Sequence, residues 1–297
     1  MNILVSGSSG LIGSALIPAL EADGHTVRRL VRGRAEGHDV SWDPAGGTID
    51  ADALPGTEAV VHLAGEGIAE HRWSDEHKAR IRDSRVRGTS LLAESLAKLP
   101  TPPQVLISGS GIGYYGDRGD ETLTEDSSAG DDFLADVCVQ WEAATAPAEE
   151  VGVRVVHIRT GIVLTSRGGS LDRQVRIFKL GLGGRLGSGR QYVSWITLED
   201  EIGAIRHLLN TATARGPHNL TSPGAVTNAE LTRTLARVLH RPAVIPVPAV
   251  ALDVVLGKGL ARSLVLAGQK VVPRRLLEAD YEFRHPDLES ALRHTFG

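Results

Sequence analysis

The residues that point most directly to chemistry stand near the start of the chain. Gly7-Ser8-Ser9-Gly10-Leu11-Ile12-Gly13 follows a short apolar run and opens a helical pattern. Three glycines at this spacing, between a strand and a helix, make a turn that can hold a pyrophosphate. Gly7 permits the turn, Gly10 lets the phosphates approach the backbone, and Gly13 allows helix and strand to pack closely. Leu11, Ile12 and Gly13 then carry the amides of a helix N-terminus, which favour an anion. The plain alternative is an ordinary glycine-rich turn.

The next strand ends in Val31-Arg32 with no Asp or Glu after it. An acid there would hold a ribose 2′-hydroxyl, whereas a guanidinium can pair a 2′-phosphate, so NADP is expected over NAD. Arg32 could also be one more solvated charge at a basic strand end. Leu63-Ala64-Gly65, after another apolar run ending in His62, offers small residues where a ribose and pyrophosphate could pass the backbone. Arg85 lies in the helix that follows and could face the cofactor or solvent.

The elements that would position these residues alternate. Apolar runs at Ile3–Ser6, Thr26–Val31, Ala59–Leu63, Val105–Ser108 and Val153–Ile158 read as strands. Helical patterns fall at Leu11–Asp23, about Asp75–Lys98 and about Asp131–Glu150. Strand–helix alternation with wholly apolar strands predicts an α/β fold, a doubly wound parallel sheet of Rossmann type covered on both faces. Residues 1–160 are read as the dinucleotide-binding domain. Residues 161–297, less regular and rich in Gly and Pro, are read as a smaller C-terminal substrate-side region partly interleaved with the first. Helices are expected there at Leu198–Thr211, Asn228–Leu239 and Pro248–Leu256.

Composition removes other classes. With 32 Lys+Arg against 36 Asp+Glu and a net charge of −4, nothing favours nucleic acid or a membrane surface. One cysteine, Cys138, excludes an intramolecular disulfide and a cysteine zinc cage. His71 and His77 lack a third ligand at metal spacing, so no metal is expected. No basic leader and no long apolar span is visible, and a cytoplasmic monomer or homodimer with a small-molecule substrate is the expectation.

Taken together, the chain resembles the extended short-chain dehydrogenase/reductases, the sugar-nucleotide epimerase and dehydratase group. More narrowly it is similar to the atypical NADP-binding epimerase family proteins. The residues that carry this are the glycine turn, His62-Leu63-Ala64-Gly65-Glu66-Gly67-Ile68, Arg72-Trp73, Ser84-Arg85, Gly113-Tyr114-Tyr115-Gly116 and Trp141-Glu142. Further on come Arg159-Thr160-Gly161-Ile162, Gly187-Ser188-Gly189-Arg190-Gln191, Ser194-Trp195-Ile196 and Asn219-Leu220-Thr221. The resemblance implies NADP contacts at Val31, Arg32, Leu63, Ala64, Arg85 and Ile162, with Ser108 near the cofactor and the Gly187–Gln191 loop near a substrate.

Ordinary members of that superfamily use Tyr-x-x-x-Lys with a Ser. The Tyr exchanges a proton, and the Lys one turn on lowers its pKa and holds the nicotinamide ribose. None of the four tyrosines here has a lysine four residues later. Alignment on Trp141-Glu142 puts Leu134 and Cys138 in those places. Ser110 matches the active Ser, and Tyr114 and Tyr115 are the remaining acids. The function expected is an NADP(H)-binding oxidoreductase or epimerase-like enzyme acting on a hydroxyl or carbonyl compound. The alternative is a non-catalytic NADP-binding sensor or interaction protein.

Overall fold

The computed structural model describes the backbone of residues 1–297 and all side chains except those of Ser170 and Arg173. Eight strands form one sheet: β1 (Asn2–Ser6), β2 (Thr26–Arg32), β3 (Val40–Asp43), β4 (Thr48–Ile49), β5 (Ala59–His62), β6 (Val105–Gly111), β7 (Arg154–Thr160) and β8 (Gly216–Leu220). Their spatial order is β8-β7-β6-β5-β1-β2-β3-β4, and every neighbouring pair is parallel except β3–β4. The chain winds outward from β1 through β2 and β3, then returns to build β5 to β8 on the other side. The reversal between β1 and β5 opens a crevice at the carboxyl ends of the strands, where open α/β sheets bind ligands.

Period-two alternation sends neighbouring side chains to opposite faces. Ile3 and Val5 join Val61, Ile107, Val156 and Ile158 beneath α1 (Leu11–Ala22) and, further along the chain, the helix Leu198–Asn210. Leu4, Val60, Leu106 and Val155 pack the opposite face against Leu92 and Leu96 of α2 (Asp75–Ala97). Both faces are covered, which is why the strands read as continuous apolar runs.

The remaining longer helices are α3 (Phe133–Ala143), α4 (Gly169–Lys179), α5 (Leu198–Asn210), α6 (Asn228–Val238), α7 (Ala249–Leu256) and α8 (Leu288–Phe296). A separate apolar cluster gathers Leu171, Phe178, Trp195, Leu231, Leu235, Leu288 and Leu292, all beyond residue 160. Yet α5 and β8, from the same half, complete the main sheet, and Lys270–Val271 pairs in parallel with Thr122–Leu123.

Two expectations change. The helix read over Asp131–Glu150 is two: α3 ends at Ala143 and a short helix runs Ala146–Glu150. Pro147 offers no N–H to the Ala143 carbonyl and its ring crowds that oxygen, which favours a break at this point. β6 runs on past Ser108 to Gly111, which puts Ser110 inside a strand. β3, β4, β8, α4 and α8 were not anticipated. Gly216-Pro217-His218-Asn219-Leu220 has little strand character, and its edge position is what tolerates Pro217.

Candidate active site at the carboxyl edge of the sheet

β1 delivers the glycine turn to the crevice. Gly7 takes φ +66°, and a Cβ there would sit 2.7 Å from the Leu63 carbonyl carbon. A Cβ on Gly13 would lie 2.3 Å from the Gly7 oxygen, so both positions are closed to larger residues by the chain itself. Gly10 differs. Its Cβ would meet only the Gly7 oxygen, at 3.2 Å, and the remaining side is open. No side chain caps α1 among the described residues, and its first turn carries no acid. Leu11 and Ile12 are half-buried, Ile12 against the core. The turn is therefore a cradle with free amides and positive helix-end potential. Arg32 closes β2 with its neighbour Val31 half-buried; the Arg32 guanidinium is exposed and has no partner among the described residues.

A buried polar chain fixes the facing segment. Ser6 Oγ accepts from the amides of Leu63 (3.0 Å) and Ala64 (3.2 Å), so its own proton goes to His62 Nδ1 at 2.7 Å. His62 Nε2 then donates to Thr89 Oγ1 at 3.0 Å, which also accepts from Trp141 Nε1 at 2.9 Å. Burial lowers the His62 pKa to about 4, which keeps the imidazole neutral in this relay. Leu63-Ala64-Gly65 thus lies beside Gly7 on a hydrogen-bonded support rather than as a free loop.

Arg85 faces inward. Its guanidinium donates to the carbonyls of Glu66 (2.9 Å) and Ile81 (3.1 Å), and it lies 5.0 Å from the Trp141 ring centroid. A Cβ on Gly65 would press on it at 3.0 Å, so Gly65 is small because Arg85 passes over it. Burial lowers the Arg85 pKa. Leu134 and Cys138 are buried in α3 and pack towards Gly113. Burial, and then the charge of Glu142, push the Cys138 thiol up to about 11, so it is a packing group and not a nucleophile.

The second cluster is closed on itself. Ser110 Oγ donates to Glu142 Oε1 at 2.7 Å, and Arg159 grips both oxygens of Glu142 at 2.8 Å. Arg159 also donates to Tyr115 Oη (3.1 Å), whose proton goes to Asn219 Oδ1 at 2.7 Å. Asn219 in turn donates to the Val272 carbonyl at 3.0 Å. Burial works against the Arg159 charge, but the Glu142 carboxylate outweighs it and holds the pKa above the ordinary arginine value. The same guanidinium lies 3.4 Å over the Tyr114 ring. Tyr114 is half-buried and its hydroxyl has no partner among the described residues.

Several sequence expectations are relocated by this geometry. Tyr115 is fully buried, its pKa pushed up to about 12 chiefly by that burial, and its hydroxyl is committed on both sides, so it belongs to the framework and not to an open acid. Ser108 is also fully buried, in register with His62, and its hydroxyl is unpaired among the described residues. It lies beneath the crevice instead of lining it. Ser110 and Tyr114 are brought to one cluster through Glu142 and Arg159. Ile162 follows Gly161, where the chain leaves β7 so close to Ser194 that a Cβ would lie 2.8 Å from its carbonyl oxygen. Gln191 is buried and donates to the Leu186 carbonyl (3.0 Å), which leaves Ser188 and Arg190 as the exposed side chains of that loop.

Roles for Glu142, Arg159, Asn219 and Thr89 were missed. The first three stood within recognised motifs, but nothing local paired them across 17 to 104 residues of sequence. Glu201, in the first turn of α5, is buried at 0% exposure. Its Oε1 accepts from Thr160 Oγ1 at 2.7 Å and its Oε2 is unpartnered among the described residues. Burial raises its pKa to about 8. Arg72 donates to the carbonyls of Val254 and Val255 at the end of α7.

A seven-stranded parallel run reversing beside a glycine turn defines a Rossmann-type α/β protein. The chain belongs to the NAD dependent epimerase/dehydratase family, which matches residues 3–221, and a domain of unknown function matches residues 247–295. It is 45% identical over 98% of its length to "Epimerase family protein MT2273" of Mycobacterium tuberculosis, covering 96% of that protein. The crystal structure of human epimerase family protein SDR39U1 (isoform 2) with NADPH is 37% identical, with a TM-score of 0.91 and 99% of each chain covered. A Thermus thermophilus UDP-glucose 4-epimerase in complex with NAD, at 19% identity and TM-score 0.78 over 99% and 97% of the two chains, shares the fold. No helix is long and apolar enough to cross a membrane.

Proposed function

We propose that this protein binds NADP(H) and reduces the carbonyl group of a small molecule. The observation that carries the reading is a pairing: an open glycine cradle beside Arg32, and Tyr114 in the polar cluster at the same sheet edge, the Arg32 guanidinium and the Tyr114 hydroxyl both without a partner among the described residues. The residues fit the cofactor. Gly7, Gly10 and Gly13 with the α1 amides would take the pyrophosphate, Arg32 the 2′-phosphate, Leu63-Ala64-Gly65 and Ile162 the walls, and Arg85 a cation beside the ribose. The NADPH bound by the human relative supports the same cofactor here. When bound, the nicotinamide supplies hydride.

The chain's own residues would handle the proton. A phenol is protonated at neutral pH, so Tyr114 donates to the oxygen that becomes an alkoxide and is reprotonated from solvent. Arg159, stacked on its ring, stabilises the phenolate that develops. Glu142 already takes much of that positive charge, so help is partial and donation is favoured over abstraction. Ser110 Oγ, its proton held by Glu142, would accept a hydrogen bond from a hydroxyl of the substrate and so orient it, and Arg85 supplies a charge near Cys138, where the superfamily lysine is replaced. Residues 1–160 carry the cofactor and residues from 161 onward close the substrate side, in part through Arg190. Nucleotide-linked sugars are the first substrates to try, since a nucleoside-diphosphate sugar epimerase from Corynebacterium glutamicum, 58% of which this chain covers, is 39% identical to it.

A second reading, an NADP-binding sensor without catalysis, is favoured by one observation: the Ser110 proton and the Tyr115 hydroxyl are both already engaged within the chain. Single-turnover oxidation of bound NADPH against a panel of carbonyl compounds separates the two. Tyr114→Phe and Ser110→Ala should each slow transfer roughly 10- to 100-fold, and Cys138→Ser should leave it unchanged. Unaltered rates in Tyr114→Phe would remove the assignment. If nothing in the panel is reduced while NADPH still binds, the sensor reading replaces the enzyme.

A further inference from the structure

Away from the crevice, two imidazoles and one carboxylate converge on a single point. Glu199 opens α5, His285 precedes α8, and His294 lies within α8. His285 Nε2 is 3.2 Å and His294 Nε2 3.3 Å from the same oxygen, Glu199 Oε2. The two rings stack with centroids 4.3 Å apart and planes 22° apart. All three ligand atoms lie within 4.8 Å of one another.

The support is stiffer than the exposure of the side chains implies. Asp200, next to Glu199 and buried, accepts from the amides of Arg284 (2.8 Å) and His285 (3.1 Å) and from Thr197 Oγ1 (2.9 Å). The backbone that carries His285 is therefore tied to the first turn of α5. Asp287 caps α8 by accepting from the Ser290 amide at 2.9 Å, which fixes the helix that carries His294. Three donors thus sit on elements locked to each other, the arrangement that lets a site bind without first paying to assemble.

We propose that Glu199, His285 and His294 bind one divalent transition-metal ion, with zinc the reference ion, joining α8 to the start of α5. Metal–ligand bonds of about 2.0–2.1 Å in a tetrahedral site put neighbouring ligand atoms about 3.3 Å apart. The two nitrogen–oxygen separations already match that edge. Two imidazoles and a carboxylate without thiolate suit zinc, copper, nickel or iron and disfavour calcium and magnesium. Binding requires each neutral ring to move its proton from Nε2 to Nδ1, and neither Nδ1 has a partner among the described residues to oppose that. A fourth position faces solvent and takes water. The proposal is independent of the reductase reading, because none of the three residues belongs to the cofactor cradle or the Ser110 cluster.

The test uses the full-length, untagged chain, stripped with chelator and titrated calorimetrically with zinc ion. One ion per chain should bind with a dissociation constant of about 1–10 μM, and the thermal midpoint should rise with added zinc. Glu199→Gln, His285→Ala and His294→Ala should each weaken binding at least tenfold, with His71→Ala as the control that changes nothing. Circular dichroism checks that each variant folds, and the absorption bands of a cobalt(II)-loaded parent report coordination independently of the variants. Binding only above about 100 μM, or equal affinity in the His285→Ala/His294→Ala double variant, overturns the site.

Discussion

The glycine turn and the Ser110 cluster stand at the same edge of one sheet and are built on opposite terms. At the turn, the chain leaves things undone among the described residues: helix amides without a side-chain cap, an arginine without a partner, a glycine with one open side. At the cluster, almost everything is finished, with Ser110, Glu142, Arg159, Tyr115 and Asn219 satisfying one another in a closed chain. Unsatisfied polar groups cost free energy unless a ligand completes them, so an open cradle marks where a large polar ligand belongs. A closed network marks groups held for position. Tyr114, attached to the network only through its ring, is the part of the second region still free to act.

The difference can be broken from the closed side first. Arg159→Met leaves the Glu142 carboxylate beside buried surface without its partner, and should lower the unfolding free energy by about 3–5 kcal/mol. Urea unfolding measures it; a loss under about 1 kcal/mol would mean the network is far wetter than its burial indicates.

Glu201 is the exception on that side, a buried carboxyl with one oxygen unpaired. Its folded pKa is raised to about 8, while an unfolded carboxyl titrates near 4.5. Between those values the folded state holds the extra proton. The group's contribution is therefore complete below about pH 4.5 and is lost as pH rises to about 8. The parent should lose roughly 2–4 kcal/mol more than Glu201→Gln over that window, as order of magnitude. Parallel stability profiles from pH 5 to pH 8.5 for the two proteins would remove the claim.

On the open side, Gly10→Val should fold, because its Cβ meets only one carbonyl oxygen of the chain, yet lose NADPH affinity about 100-fold, or 2.7 kcal/mol. Gly13→Val is the contrast, since its side chain would collide with the Gly7 oxygen and unsettle the fold itself. Unchanged NADPH affinity in Gly10→Val would move the phosphates elsewhere. The smallest effect belongs to Arg32→Ala. It should erase a roughly tenfold preference for NADP over NAD, about 1.4 kcal/mol, and leave NAD affinity as it was. Equal affinities of the parent for both cofactors would sharpen the opposite conclusion, that Arg32 is a solvated strand end.

The sequence by itself determined five strands of the sheet but not β3 and β4, together with the glycine turn and the helices that cover it, because these follow from periodicity and from steric needs within a few residues. Gly7, Gly10 and Gly13 are legible as a cradle for that reason: the contacts that demand them lie within the turn or on the adjoining strand. The resemblance to epimerase relatives supplied the family and pointed to Glu142, Arg159 and Asn219 as parts of motifs. It could not say what they touch. Only the tertiary structure decided that β8 completes the sheet, since its five residues gain strand geometry from pairing with β7 and not from their own preferences. Only it decided that Tyr115 is buried while its neighbour Tyr114 keeps a free hydroxyl, a choice set by which ring points at Asn219. The Glu199, His285 and His294 cluster joins residues up to 95 apart in sequence, and no local pattern brings them together; the capped helix and the Asp200 anchor do.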